Sequence, residues 1–119
     1  MKQPGPDHPI TIVRSGKHVR ISFGGKIIVD TTNAFELKEA SYPAVFYIPR
    51  ADADMSALTP TAHHTHCPYK GDASYFSISA GGRSAENAVW SYEEPFAAVS
   101  EIKDHLAFYP NRVDAIEAS

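Results

Sequence analysis

Apolar and polar residues alternate at every second position in the first third of the chain. The clearest case is the segment 18–23, where the apolar side chains would share one face and the polar ones the opposite face. A strand with one buried face has this period, and similar runs at 10–14 and 26–30 predict two further strands. Gly24-Gly25 favours a tight hairpin turn and Ser15-Gly16-Lys17 a second turn, so these strands are predicted to form an antiparallel meander.

The middle of the chain has short apolar runs bounded by turn residues. Residues 32–36 fit two patterns, because Asn33 followed by Glu36 imitates a helix capping box whereas 35–39 alternates like a strand. We favour the strand. The run at 44–48, between two prolines, predicts a central buried strand. The remaining predicted strands lie at 73–79, 87–92 and 107–109.

Two segments predict helical structure. Pro95 suits the first turn of a helix, and apolar residues then recur at helical spacing as far as about His105. The segment 52–58 predicts one or two helical turns, with Asp52 as the N-cap.

Together these elements predict a mainly β fold, as a compact antiparallel sandwich or half-open barrel with one or two short helices. A chain of 119 residues is long enough for one domain with its own apolar core. We expect a single β-rich domain at 10–114, a flexible proline-rich arm at 1–9 and a short tail at 115–119.

Charge and cysteine content limit the binding partners and the cellular compartment that we expect. The net charge is −3, and the 11 basic and 14 acidic residues form no run of one sign, so neither nucleic acid nor an anionic membrane is an expected partner. The single cysteine forms no internal disulfide and favours a reducing compartment, so we expect a cytoplasmic protein. No motif indicates a cofactor. Open sheet edges and the arm are compatible with a homodimer.

The stretch 65–75 holds the strongest candidates for chemistry, because it places a thiol and an amine at a bend between a proline and a glycine. Cys67 is either a small buried hydrophobe or a nucleophile that Lys70 activates. Lys70 would bind an anion, form a Schiff base, or pair with Glu39 or Asp52. Glu39 itself is interpreted as an ion-pair partner or as a general acid or base.

Aromatic residues suggest a binding pocket near this lysine. Trp90 and Tyr92 share one face of a predicted strand, and Tyr47, Tyr69 and Tyr75 lie in other motif-rich segments. Their rings would line the core or converge beside Lys70 as an apolar slot with a cationic end, suited to a flat or aliphatic anion. The predicted ligand-binding residues are Tyr47, Asp52, Tyr69, Tyr75, Trp90 and Tyr92.

Three histidines precede the cysteine. On a strand, His64 and His66 would project from one face at the spacing of some metal sites, with His63 beside them. A site needs a third and usually a fourth ligand, for which only His105, Glu39 or Glu86 are candidates. We therefore interpret this segment as a solvated polar loop and expect no metal.

Six motifs together carry a resemblance to a known family, and they occur in the family's order and spacing. They are Phe23-Gly24-Gly25, Leu37-x-Glu39, Phe46-Tyr47-Ile48-Pro49-Arg50-x-Asp52, Thr65-x-Cys67-Pro68-Tyr69-Lys70-Gly71-x-Ala73-x-Tyr75, Trp90-x-Tyr92-x-x-Pro95 and Phe108-Tyr109. From about residue 10 to 114 the chain resembles the bacterial domain-of-unknown-function family number 427.

The resemblance implies a small, mostly β domain, with the β-tent folds as candidate relatives. The family is also labelled nucleotidyltransferase-like, but this sequence has no glycine-rich phosphate loop and no carboxylate pair of the metal-binding type. We rank three functions. The first is a module that binds a small anionic or aromatic ligand beside Lys70. The others are a small enzyme of transferase or hydrolase type using Lys70, Cys67 and Glu39, and a purely structural or interaction domain.

Overall fold

The computed structural model describes all residues from Met1 to Ser119. It contains ten strands and four short 3₁₀ segments. The strands are β1 (Ile10–Arg14), β2 (Val19–Phe23), β3 (Lys26–Thr31), β4 (Phe35–Glu39), β5 (Val45–Tyr47), β6 (Leu58–Cys67), β7 (Gly71–Ala80), β8 (Arg83–Ser91), β9 (Leu106–Phe108) and β10 (Ala115–Ala118). The 3₁₀ segments are Arg50–Asp52, Met55–Ala57, Ala97–Ile102 and Pro110–Arg112. No helix is long and apolar enough to span a membrane.

The strands form three antiparallel sheets, with the orders β1-β4-β5, β10-β2-β3 and β6-β7-β8-β9. The predicted mainly β, antiparallel fold with few short helices is therefore confirmed. The predicted meander is wrong, because β1 pairs with β4 and only β2 and β3 form the expected hairpin. Ser15-Gly16-Lys17 instead carries the chain from one sheet to another.

Two apolar clusters hold the sheets together. The larger cluster joins β2 and β3 to the four-stranded sheet, and the smaller one joins β4 and β5 to the same sheet. Leu106 and Phe108 belong to the larger cluster and Ala107 to the smaller, so the two clusters occupy opposite faces of β9. The alternation of strand side chains explains this division. Strand β9 is buried on both faces and lies between the two clusters.

Two hairpin turns meet at the end of the larger cluster. Gly24 and Gly25 both have positive φ angles, as the predicted β2–β3 turn requires. A Cβ atom on Gly24 would lie 2.2 Å from the carbonyl oxygen of Ala80, and one on Gly81 would lie 2.0 Å from the carbonyl oxygen of Gly24. Only glycine allows the β2–β3 turn to approach the β7–β8 turn so closely.

The helix predicted from Pro95 to His105 is wrong. The segment Ala97–Ile102 is a 3₁₀ structure with a kink at Val99, which has φ −127° and ψ 30°. Val99 and Ile102 are both buried, and their spacing of three residues fits a 3₁₀ turn as well as an α-helix. The chain then enters β9, so this short segment never propagates as an α-helix.

Other boundaries also differ from the prediction. The run at 44–48 is a three-residue strand at the edge of its sheet, and Ile48 exchanges two backbone hydrogen bonds with Leu106 of β9. The predicted tail contains strand β10, which pairs with β2. Asp54, and not Asp52, caps a 3₁₀ turn, since its side chain accepts a hydrogen bond from the backbone of Ser56.

The histidine segment is part of a strand and not a loop. Strand β6 runs for ten residues to Cys67 and forms one edge of the four-stranded sheet. Most of its side chains are exposed, so it lacks the apolar alternation by which a strand is recognised. Polar side chains on an edge strand also discourage pairing with other chains.

Candidate functional site

Lys70 lies in the turn between β6 and β7, and Glu39 is the last residue of β4. The ammonium group of Lys70 donates a hydrogen bond to Glu39 Oε1, forming an ion pair between the two sheets. Only 7% of Lys70 is exposed. The backbone also fixes this turn, because the Lys70 carbonyl accepts a hydrogen bond of 2.9 Å from the amide of Phe96. The sequence motif therefore serves to hold a nearly buried lysine against a carboxylate.

The N-terminal arm completes the polar end of the site. Nε2 of His8 lies 2.7 Å from Glu39 Oε2, and the His8 ring stacks on Tyr69 with the centroids 3.8 Å apart. Burial by itself would raise the pKa of Glu39, but hydrogen bonds from Lys70 and His8 outweigh this and lower the pKa below its ordinary value. Glu39 is therefore a carboxylate whose two oxygens both have a partner.

An open cavity of about 390 Å³ lies above this ion pair. It is lined by 11 residues, most of them apolar or aromatic. They are Leu37, Glu39, Tyr42, Pro43, Val45, Tyr47, Lys70, Tyr75, Trp90, Tyr92 and Tyr109. Its volume is within the range of roughly 300–1,000 Å³ typical of small-molecule sites, which combine an apolar lining with a few polar groups.

The aromatic rings contact one another edge to face or at a tilt. Trp90 meets Tyr47 at 90° with centroids 6.4 Å apart, and its Nε1 donates a hydrogen bond of 3.3 Å to the Tyr47 hydroxyl. Tyr109 also packs against Trp90, with the ring planes tilted by 43° and the centroids 4.5 Å apart. The Lys70 ammonium lies 6.0 Å from the centroid of Tyr92. These contacts hold the rings in fixed positions around the cavity.

Three phenols of the cavity, those of Tyr47, Tyr92 and Tyr109, remain protonated near neutral pH. Burial raises the pKa of Tyr47 and of Tyr92 well above the ordinary value. Burial and a hydrogen bond with Tyr75 raise the pKa of Tyr109 to about 12. Each of these three hydroxyls therefore keeps its proton, and those of Tyr47 and Tyr92 can donate it to a bound molecule.

The structure brings most of the predicted site residues together. Those that line the one cavity are Lys70, Glu39, Tyr47, Tyr75, Trp90 and Tyr92. Cys67, Tyr69 and Asp52 do not line it. Cys67 is partly buried against the smaller apolar cluster, which agrees with the interpretation of a small hydrophobe.

Tyr69 and Asp52 have other contacts. Tyr69 acts indirectly, since its ring supports His8, the second partner of Glu39. Asp52 lies elsewhere and accepts a hydrogen bond of 2.7 Å from the Thr31 hydroxyl. The partner of Lys70 is thus Glu39 and not Asp52.

The three histidines of β6 do not converge. His63 packs edge-on against Tyr75 at 4.6 Å, and Nδ1 of His66 lies 2.6 Å from a carboxylate oxygen of Asp72. His64 is exposed. No group of three or more His, Cys, Asp or Glu side chains is placed to hold a metal ion.

Sequence reasoning missed several residues of the site. Leu37 was detectable, because it lies two residues before Glu39 on the same face of β4. Tyr42 and Pro43 come from the loop after β4, for which the strand pattern gives no orientation. His8 lies 31 residues from Glu39 in an arm without a periodic pattern, so no local signal predicts the contact.

The sequence comparisons agree with the motifs. No curated protein matches this chain. A family model described as "Domain of unknown function (DUF427)" matches residues 11–119, nearly the whole chain, and the protein therefore belongs to this family.

Proposed function

We propose that the cavity above the Lys70–Glu39 pair binds a small molecule with a flat apolar body and a hydrogen-bond acceptor, such as a carboxylate or carbonyl, at one end. The observation that carries the proposal is the convergence of a nearly buried lysine and several aromatic rings on one open cavity. An apolar cavity with a few converging polar groups is the usual form of a small-molecule site.

Hydrogen-bonding capacity at the polar end favours an acceptor on the ligand. An ammonium group has three N–H donors, and Glu39 Oε1 takes one from Lys70. Both oxygens of Glu39 are already engaged, by Lys70 and by His8. The phenols of Tyr47 and Tyr92 stay protonated because burial raises their pKa values. The groups left for a ligand are thus mainly donors.

The aromatic walls favour a flat ligand body. Tyr47, Trp90 and Tyr109 present rings whose mutual contacts fix their orientation. Tyr42 lies at the rim of the cavity and is 62% exposed. An exposed ring beside a cavity has an apolar face that a bound molecule would cover. Ligand binding would therefore bury both the ring of Tyr42 and the body of the ligand.

A titration with small carboxylates tests the proposal. We would measure binding of 4-hydroxybenzoate, benzoate, hexanoate and the neutral benzamide by calorimetry and by the shift in melting temperature. A ligand at 100 times its Kd stabilises the folded state by about 2.7 kcal/mol, which a melting experiment detects. We expect the aromatic carboxylates to bind more tightly than hexanoate and benzamide.

Matched variants test whether ligand binding depends on the cavity or on another part of the surface. Tyr42→Ala removes an exposed ring from the cavity, and Lys70→Met removes the ammonium at similar length. We expect each to weaken binding of 4-hydroxybenzoate by about tenfold, equivalent to 1.4 kcal/mol. Ile27→Ala, at an exposed apolar residue outside the cavity, and Lys103→Met, at an exposed lysine, are the controls. Absence of binding by every probe, or equal effects of Tyr42→Ala and Ile27→Ala, would contradict the proposal.

A further inference from the structure

A second cavity adjoins the proposed binding site. Its volume is about 340 Å³, and Tyr75 and Tyr109 line both cavities. The two phenol hydroxyls lie 3.2 Å apart, and the Tyr75 hydroxyl is also 2.9 Å from Thr65 Oγ1. The two cavities are thus adjacent at this pair of hydroxyl groups. One ligand could extend past the pair from the first cavity into the second.

The two cavities differ in chemistry. The second is mostly polar, and its lining residues are His63, Tyr75, Glu86, Asn87, Tyr109 and Arg112. The guanidinium of Arg112 donates a hydrogen bond of 3.0 Å to the backbone carbonyl of Glu86, which positions it without neutralising it. Arg50 and Arg83, in contrast, pair with carboxylates. Arg112 therefore keeps donors for a ligand.

Acceptors are present beside these donors. Glu86 lines the cavity, and none of the ion pairs of the protein includes its side chain. Asn87 Oδ1 accepts a hydrogen bond of 2.7 Å from Thr61, which leaves the two N–H donors of its amide. The ring of His63 provides a further nitrogen. Because Glu86 and Arg112 have opposite charges, the lining has little net charge and does not favour an anion.

Neighbouring hydroxyl groups fit such a lining, since each hydroxyl both donates and accepts. We propose that the second cavity is a subsite for a polyhydroxylated group, so that the ligand is a glycoside in the broad sense, a flat ring joined to a sugar. This inference rests on the proposed function, because the flat ring is the part that occupies the first cavity. Aryl glycosides and nucleosides share this chemistry.

Paired probes with and without the sugar test the inference. We would compare 4-hydroxybenzoate with its 4-O-β-glucoside, and uracil with uridine, by calorimetry on the full chain. A site built to hydrogen-bond hydroxyls rejects analogues that lack them, so we expect the sugar to improve affinity by about tenfold or more in at least one pair. The pair that shows the gain identifies the ligand as an aryl glycoside or a nucleoside.

Variants of exposed residues assign the gain to the second cavity. Glu86→Gln and Arg112→Gln each remove one charge at an exposed side chain, and Glu101→Gln, also exposed, is the control. We expect the first two to reduce the gain from the sugar by about threefold or more, and Glu101→Gln to preserve it.

Three results would overturn the inference. The first is a gain below about twofold in both pairs while 4-hydroxybenzoate still binds, which leaves the proposed function intact. The second is a gain that neither Glu86→Gln nor Arg112→Gln reduces. The third is absence of binding by all four probes, in which case the proposed function and the inference fail together.

Discussion

Lys70 and Glu39 form an ion pair that connects the turn before β7 to the end of β4. The side chains are only 9% and 15% exposed, so water screens their charges weakly. Replacing one residue of a buried ion pair leaves the other charge without a partner. This lowers the free energy of unfolding by more than the intact pair contributes to it. The same two residues form the polar end of the proposed binding site.

Replacement of Lys70 alone is expected to destabilise the fold. We expect Lys70→Met to lower the free energy of unfolding by about 2–3 kcal/mol, below the roughly 3–5 kcal/mol of a fully buried pair because His8 still contacts Glu39. The double variant Lys70→Met/Glu39→Gln should recover part of the loss, since no unpaired charge remains. Urea unfolding followed by the fluorescence of Trp90 measures both. A double variant less stable than the single one would argue against this account.

Acid should weaken the fold through Glu39. Its pKa in the folded protein is below the ordinary value of 4.5, so the carboxylate stabilises the folded state above that pH. This contribution is lost as the pH falls below about 4.5 towards the folded pKa. We expect Glu39→Gln to be less stable than the wild type at neutral pH and to lose less stability below pH 4.5.

Urea unfolding at a series of pH values checks the pH effect. The pKa values of Asp30 and Asp114 are also lowered, by hydrogen bonds from His18 and Arg83 respectively. Both aspartates remain in the variant, so the difference between the two curves isolates Glu39. Parallel curves for wild type and Glu39→Gln would show that the ion pair does not contribute to acid sensitivity.

The turn after β4 contains a strained residue next to the site. Ala40 has a φ angle of +47°, in the left-handed region, where glycine has no steric cost. We expect Ala40→Gly to stabilise the protein by about 0.5–1 kcal/mol, because relief of strain exceeds the added flexibility of the unfolded chain. Ala62→Gly, at an exposed alanine of β6, should instead destabilise by about the same amount. Thermal unfolding of both variants measures whether each substitution stabilises or destabilises the protein.

The sequence predicts individual strands better than it predicts which strands pair with each other. Alternation identified β2 and β4, because one buried face leaves a period of two in the chain. It could not show that β1 pairs with β4, since pairing depends on which apolar cluster each strand joins. The sequence predicts a loop for the histidine segment of β6, because an exposed edge strand has no buried face to mark it.

The site was predictable to a similar extent. The Lys70 motif and the aromatic residues pointed to the cavity, because rings gathered beside a cation form a slot suited to a ligand. The contact of His8 with Glu39 and the second cavity depend on segments that only the folded chain brings together. The reducing compartment and the homodimer remain predictions.

The contact between Gly24 and the β7–β8 turn gives the sharpest test of the packing. Gly24 and Gly25 both have positive φ angles, but a Cβ on Gly24 would lie 2.2 Å from a backbone oxygen, whereas a Cβ on Gly25 would meet nothing within 4 Å. Gly25→Ala should therefore cost only the backbone strain, about 1–2 kcal/mol. Gly24→Ala must also move the backbone of Ala80, so we expect a loss of about 3 kcal/mol or more. Urea unfolding measures both variants. Equal losses would show that the two turns do not approach as closely as the structure indicates.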